Sequence, residues 1–410
     1  MTLSKRERVI RTFELEEPDK CPIYYLGFEP ASTSFQHFIH SDYFKEVYTK
    51  GNSQEAQWLN LLAQYRFFNS DIVSFDPFVK TNGIFRYFDM KKFEKTNNVV
   101  ESIGDQIPAG GNIYLLPNGV YFINVTVGRL WAVVPHEKTG MPYRWYLKGL
   151  FTTPEIMYEV WNTFGKPSEL VNEEGDWSSH LWEHFLETLS PYFYPMANIW
   201  GVAMHEGLLE GMGFGKVALY MRKKPEVIHD IMREFTKHNI KIIKRFAEAG
   251  VDCVHYWDDL GQKGRSILSL KNFKEFILPY FKEVYQTCKK NGMFVAQHAD
   301  GYIDDLAPYL ADAGLNCLQS LEPASGVNLT YLKETLGDRI SFMGGMDSSR
   351  ILNFGTAKEI EEDVRNCIKI AAPGGGYFAG PSHNILDCPF ENLLTLRKAL
   401  EKYRKYPINV

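Results

Sequence analysis

The sequence predicts an α/β fold, a (β/α)8 TIM barrel with a β-rich insertion in its N-terminal half, and three observations predict it. From Pro225 to the C-terminus, helical and strand patterns alternate strictly and are joined by short loops, which implies a parallel sheet with right-handed crossovers. Strand-like runs earlier in the chain bring the total near eight, the number that closes a barrel. Each late strand also ends in polar residues of the kind found at a barrel mouth. A doubly wound open sheet is the alternative arrangement.

The elements follow in chain order. Ser4, with Glu7 three residues on, starts a helix that carries Val9, Ile10 and Phe13 at helical spacing and stops before Pro18. Cys21 to Leu26 reads as a first strand, residues 34–68 as helical material, and Asp71 to Phe75 as a second strand whose Asp76-Pro77 ending suits a rim. Residues 83–148 change to short alternating runs with an Asn118-Gly119 turn and read as the β-rich insertion, either a lid or an edge decoration. Helices are predicted from Pro154 to Phe164 and from Trp177 to Leu189, then a strand from Tyr192 to Trp200, with His205 and Glu206 after it. The glycine run Gly211 to Gly215 lacks the Lys and Ser/Thr of a phosphate loop and carries no such function. Helices from Pro225, Leu270, Ile303, Leu329, Ala357 and Pro389 then alternate with strands from Asp252, Met293, Asn316, Ile340 and Gly376. One barrel domain over residues 1–410, with 83–148 inserted, accounts for the pattern.

Composition narrows the function. In 410 residues, a charged fraction of 23% and a hydrophobic fraction of 45% are those of a globular soluble protein. A net charge of −5 without long Lys/Arg runs recommends neither nucleic acid nor an acidic membrane as partner. No signal-peptide core or membrane-length apolar run is present, so the expected location is cytoplasmic. Six scattered cysteines without a C-x-x-C pair read as reduced thiols. Nothing in the composition opposes a homodimer.

The candidate chemistry lies at the strand ends. His298 and Asp300, two residues apart at the end of an apolar run, share a face, and Gly301 lets the backbone turn away. Asp258 and Asp259, Glu322, Asp347, and His383 with Asn384 end the other late strands, and in a barrel these ends meet at one mouth. Taken singly, each has a plain structural use: Asp258, Asp259 and Asp347 as caps, Glu322 as a solvated loop carboxylate. Their convergence is the argument for a site. Two chemistries suit it: a Zn²⁺ site in which His nitrogens and carboxylate oxygens fill three or four positions, or metal-free acid–base work with one carboxylate kept ionised and a His or Tyr delivering a proton. In the zinc reading, Asp258 and Asp259 orient substrate or ligands, and Tyr256, Trp257 and Tyr302 supply aromatic walls.

Several motifs taken together resemble the uroporphyrinogen decarboxylase superfamily: Asp258-Asp259-Leu260-Gly261, Phe273-x-x-Phe276-x-x-Pro279, His298-Ala299-Asp300-Gly301, Phe342-Met343-Gly344-Gly345-Met346-Asp347, Gly374-Gly375-Gly376-Tyr377 and Pro381-Ser382-His383-Asn384-Ile385. The opening Lys5-Arg6-Glu7-Arg8-Val9 and Pro18-Asp19-Lys20-Cys21-Pro22 fit as well, while the middle of the chain is not diagnostic. The resemblance implies a (β/α)8 barrel that is either a tetrapyrrole decarboxylase or a cobalamin-dependent methyltransferase. The decarboxylases carry an Arg-rich R-Q-A-G-R segment after the first strand. Here that place reads Tyr24-Tyr25-Leu26-Gly27-Phe28, without the bidentate carboxylate clamp, which argues against a uroporphyrinogen substrate. The methyltransferases of the superfamily bind zinc through His-x-Cys and a later Cys. His298-Ala299-Asp300 stands in the first place and Ser382-His383 near the second, a harder donor set suited to activating oxygen, with Glu322 or Cys388 to complete it. The expectation is therefore a methyltransferase that demethylates a small-molecule methyl donor such as an aryl methyl ether. No Asp-x-His-x-x-Gly motif is present, so cobalamin is expected only on a partner corrinoid protein. The alternatives are a metal-free decarboxylase or lyase acting on a non-porphyrin acid, and a non-catalytic binding barrel.

Overall fold

In chain order the strands are β1 (Ile72–Phe75), then β2 (Asn112–Leu116), β3 (Gly119–Asn124), β4 (Arg129–Pro135) and β5 (Pro142–Gly149), then β6 (Tyr194–Ile199) and β7 (Cys253–Trp257). A two-residue pair, β8 (Gly261–Gln262) and β9 (Arg265–Ser266), decorates the loop after β7. The series ends with β10 (Phe294–Ala299), β11 (Cys317–Ser320), β12 (Ser341–Met346) and β13 (Tyr377–Pro381). The computed structural model describes residues 2–75, 112–116, 119–124, 127–171, 178–199 and 204–409. Residues 83–111 of the expected insertion, the Asp76-Pro77 rim, Asn118 of the predicted turn, Trp177 and Trp200 lie outside the described residues.

Seven strands pair in parallel in the order β1-β6-β7-β10-β11-β12-β13. The predicted first strand closes the ring as a short extended segment. Tyr24 N donates to Ala379 O and Ala379 N to Pro22 O, both at 2.9 Å, while on the other side Asp71 N donates to Ile23 O at 2.8 Å. Residues 22–24 thus stand between β13 and β1, and the sheet is a TIM-barrel-like α/β fold.

Alternation along each strand separates two cores. Tyr24, Ile72, Tyr194, Met196, Cys253, Ala296, Cys317, Met343 and Phe378 pack inside the ring, and Val254, Tyr256, Val295, Leu318 and Phe342 face the surrounding helices. The first helix (Lys5–Phe13), whose Ser4/Glu7 capping box forms as predicted, plugs the lower end. Its Phe13 stacks on Phe294 with ring centroids 4.7 Å apart and meets Phe378 at 4.8 Å. A buried ionic lock fastens the same end. Asp71 Oδ1 accepts from Arg8 at 2.6 Å, and its Oδ2 accepts from Arg404 and from Ile23 N, each at 2.8 Å.

Local sequence accounts for the departures from expectation. Residues 34–68 form four short helices, Thr33–Ile39, Asp42–Val47, Gln54–Leu61 and Ala63–Phe67, three of them opened by a serine cap. The helix predicted over Leu270 to Asn291 is two, Leu270–Phe276 and Leu278–Lys290, because Pro279 cannot donate back into the preceding turn. The helix expected from Ile303 begins at Ala307. Among the described residues, no helix is long and apolar enough to cross a membrane.

Strands β2 to β5 form an antiparallel meander, the described part of the insertion. It leans on the helix Met204–Met212 after β6: Tyr146 Oη donates to Glu210 O at 2.8 Å, Phe151 N donates to Gly211 O at 3.0 Å, and Arg129 pairs with Glu210. The turn joining β4 to β5 reaches other rim loops, where Thr139 Oγ1 donates to Ala31 O at 2.6 Å and Lys138 pairs with Asp387 at 2.8 Å. The hairpin therefore spans part of the mouth.

Candidate functional site

Strand register sets the centre of the site. His298, near the end of β10, is level with Trp257 on β7 and Gln319 on β11, and all three lie on the inward face. Trp257 lies against the His298 ring, with centroids 4.4 Å apart and planes at 34°, and its Nε1 donates to Asn198 Oδ1 at 3.2 Å. His298 Nδ1 is hydrogen-bonded to Gln319 Oε1, which leaves Nε2 facing the mouth, 3.6 Å from Asp259 Oδ1 and 3.6 Å from Asp300 Oδ1. From the end of β13, His383 places its Nε2 2.8 Å from Asp300 Oδ2. Ser320 Oγ donates to Asp300 Oδ1 at 2.7 Å, and Asp300 N donates to Asp259 Oδ1 at 3.0 Å. One ligand atom each from His298, Asp300 and His383 lie within 4.8 Å of one another.

Gly301 makes this approach feasible. It sits at φ +83, and a Cβ there would lie 2.2 Å from Gly261 C, so the loops after β7 and β10 touch backbone to backbone. Gly301→Ala is expected to destabilise the fold by about 1–3 kcal/mol from the left-handed conformation alone, with the clash added to that. Urea denaturation of the two proteins measures the difference.

The charges in the mouth depend on one another. Burial opposes charge on His383, but Asp300 outweighs it and raises the imidazole to about 9. Burial would likewise raise Asp300, yet His298 and then His383 hold it well below the usual carboxylate range. Desolvation in the crowded mouth, followed by the charge on Asp300, raises Asp259. The sign of the His383 effect is testable in metal-free protein. With its folded value raised from 6.5 to about 9, His383 contributes stability that is fully present below the lower value and is lost as pH rises through the upper one. The Tm advantage of wild type over His383→Gln is expected to shrink across that interval.

The remaining sequence candidates divide. Asp259 and Trp257 stand at the mouth beside the imidazoles, and Asn384 follows His383 in the loop after β13. Glu322, next in influence on His383 after Asp300 and Asp259, accepts hydrogen bonds from Ser325 Oγ at 2.5 Å and Ser349 Oγ at 3.2 Å. Asp258 is fully buried and caps the helix Met204–Met212, accepting from His205 N at 2.8 Å and Glu206 N at 2.7 Å. Burial still pushes it up to about 7. Tyr256 points outward, where Asn239 Nδ2 donates to its hydroxyl at 2.7 Å, so it does not join the group. Tyr302 turns its hydroxyl to Asp305 at 3.3 Å, on an exposed rim. Asp347 is engaged locally, by Arg350 Nε at 2.8 Å and by the backbone of Ser349 and Arg350. Cys388 directs its thiol to Leu352 O at 3.1 Å and does not join the group of ligand atoms formed by His298, Asp300 and His383.

Three residues at the mouth escape the motif reading. Gln319 and Ser320 are both fully buried, and their signal was a polar pair inside an otherwise apolar strand. Glu206, held at a helix start by Asp258, is raised well above its usual range by burial and then by Asp259. Its signal was an acidic residue just past a strand end.

Residues 202–403 match the family described as uroporphyrinogen decarboxylase (URO-D). The matched segment is just under half of the chain and contains His298, Asp300, His383, Asp259, Glu322 and Gln319, so the whole group of ligand candidates lies within the residues that match the URO-D family. Over 190 residues the chain is 23% identical to a methylated-thiol–coenzyme M methyltransferase of Methanosarcina mazei, covering 46% of this chain and 48% of that protein. It is 24% identical over 190 residues to a chloroplastic uroporphyrinogen decarboxylase 2 of Oryza sativa subsp. japonica, covering 44% of each. The match thus spans about half the length of these curated relatives. A solved methyltransferase from Methanosarcina mazei superposes over 98% of this chain and 99% of its own, with a TM-score of 0.59 at 16% identity, and shares the fold.

Proposed function

We propose that this barrel is a methyltransferase of the URO-D superfamily that demethylates a small methylated substrate, an aryl methyl ether fitting best, and passes the methyl group to a corrinoid protein. The observation that carries the reading is the grouping of His298, Asp300 and His383 ligand atoms within 4.8 Å. The donor set suits Zn²⁺: an imidazole whose Nε2 faces the mouth, a carboxylate and a second imidazole. Bound there, Zn²⁺ supplies a Lewis acid for the heteroatom that carries the methyl group.

The chain's own residues do the rest. Gln319 and Trp257 fix the His298 ring, Ser320 holds Asp300, and Asp259 and Glu322 border the group as further oxygen donors. With nitrogen and oxygen donors in place of thiolates, the site favours an ether oxygen over a thiol. The test is turnover: zinc-loaded protein, a methoxybenzoate and free cob(I)alamin are combined, and the demethylated phenol is quantified by mass spectrometry. Phenol in proportion to enzyme supports the reading, and a signal equal to the protein-free control ends it.

One observation favours a second reading. His383 and Asp300 already satisfy each other at 2.8 Å without a metal, as an acid–base pair in a decarboxylase or lyase acting on a non-porphyrin acid would. That reading requires turnover in chelator-treated protein.

A further inference from the structure

Strand β11 contributes two polar side chains to the ring interior, beside the buried His255 and His298, and both are fully buried. Such groups persist in a barrel interior only where hydrogen bonds repay their desolvation. Gln319 makes two. Its Nε2 donates to Ser382 O at 3.1 Å, and its Oε1 meets His298 Nδ1.

The first bond decides the second. A backbone carbonyl can only accept, so the amide nitrogen must face Ser382 and the amide oxygen must face His298. An amide oxygen also only accepts, which obliges His298 to carry a proton on Nδ1, so that in the neutral ring the lone pair lies on Nε2, toward Asp259 and Asp300. Ser382 immediately precedes His383, so one amide ties the ring of the first imidazole to the backbone that carries the second.

The next residue acts on the carboxylate between them. Ser320 at φ 92 and Leu321 at φ 57 both adopt left-handed backbone without being glycine, a strained arrangement. This turn at the end of β11 carries the Ser320 hydroxyl that donates to Asp300 Oδ1 at 2.7 Å.

We propose that Gln319 and Ser320 are positioning residues that preset His298, Asp300 and His383 for a divalent cation before it arrives. The inference rests on the metal-binding reading given above, and its test separates the two. In metal-free protein labelled with ¹⁵N-histidine, long-range ¹H–¹⁵N spectra report the His298 tautomer, and competition with a chromophoric chelator gives the Zn²⁺ affinity.

Wild type is expected to show a single Nδ1–H tautomer. Gln319→Leu is expected to mix the tautomers and to weaken Zn²⁺ binding by about 10–100-fold, the usual effect of losing a partner behind a metal ligand. Gln319→Glu keeps an acceptor for Nδ1–H and is expected to restore the tautomer and most of the affinity. Ser320→Ala leaves the tautomer intact and weakens binding, so it reports independently should Gln319→Leu fail to fold.

A Gln319→Leu protein that retains both the wild-type tautomer and the wild-type affinity overturns the proposal. So does an equal loss of affinity in Gln319→Leu and Gln319→Glu, because a role confined to filling space would give that result. Wild type that binds no Zn²⁺ contradicts the metal reading instead, and the tautomer comparison then still decides whether Gln319 sets His298.

Discussion

Asp71→Ala is expected to destabilise the chain by about 3–5 kcal/mol, the range for removing one partner of a buried ion pair. The carboxylate is 1% exposed and serves three donors, Arg8, Arg404 and Ile23 N, drawn from the first helix, the C-terminal segment and the closing strand segment. Removing it leaves the Arg404 guanidinium, itself 1% exposed, buried beside Arg8 without the charge between them. It also removes the acceptor that holds residues 22–24 between β13 and β1. Equilibrium urea denaturation measures the loss, and since no mouth residue touches Asp71, zinc affinity is expected to remain unchanged.

The largest functional effect is expected from His298→Ala. This substitution removes a ligand atom and empties the space against which Trp257 packs. Turnover in the demethylation assay is expected to fall by at least about 100-fold, more than the change on losing a partner behind a ligand. Tyr302→Phe is the useful contrast, because its hydroxyl faces Asp305 at the rim and its loss is expected to leave turnover within about twofold, as for surface substitutions generally.

What the sequence made legible follows from periodicity. Alternation after Pro225 gave the barrel and the order of its late strands, and the polar strand ends gave His298, Asp300 and His383, because residues at the ends of parallel strands must share one rim. The closing segment was legible as a strand, although its pairing rests on three backbone bonds and not on a full ladder.

Facing was less legible. Tyr256 follows His255 by one residue, so the pleat sends it into the helix layer, a consequence of register that aromatic character does not reveal. Asp258 and Asp259 are adjacent and therefore diverge, one to cap a helix and the other to the mouth. Asp347 binds the backbone of the turn that follows it, at Ser349 and Arg350, a local use common for loop-end aspartates. Gln319 and Ser320 carried no motif, and their importance comes from what lies across β10 and β13, which only the closed ring brings near.

The most direct test of the account is the zinc content per chain, measured by elemental analysis after loading and exhaustive dialysis, for wild type, His298→Ala and His383→Ala. One equivalent in wild type and none in either variant is the predicted result, since residues from β10 and from beyond β13 would then serve a single ion. Wild type without zinc, or a His383→Ala protein that keeps its full equivalent, would contradict it.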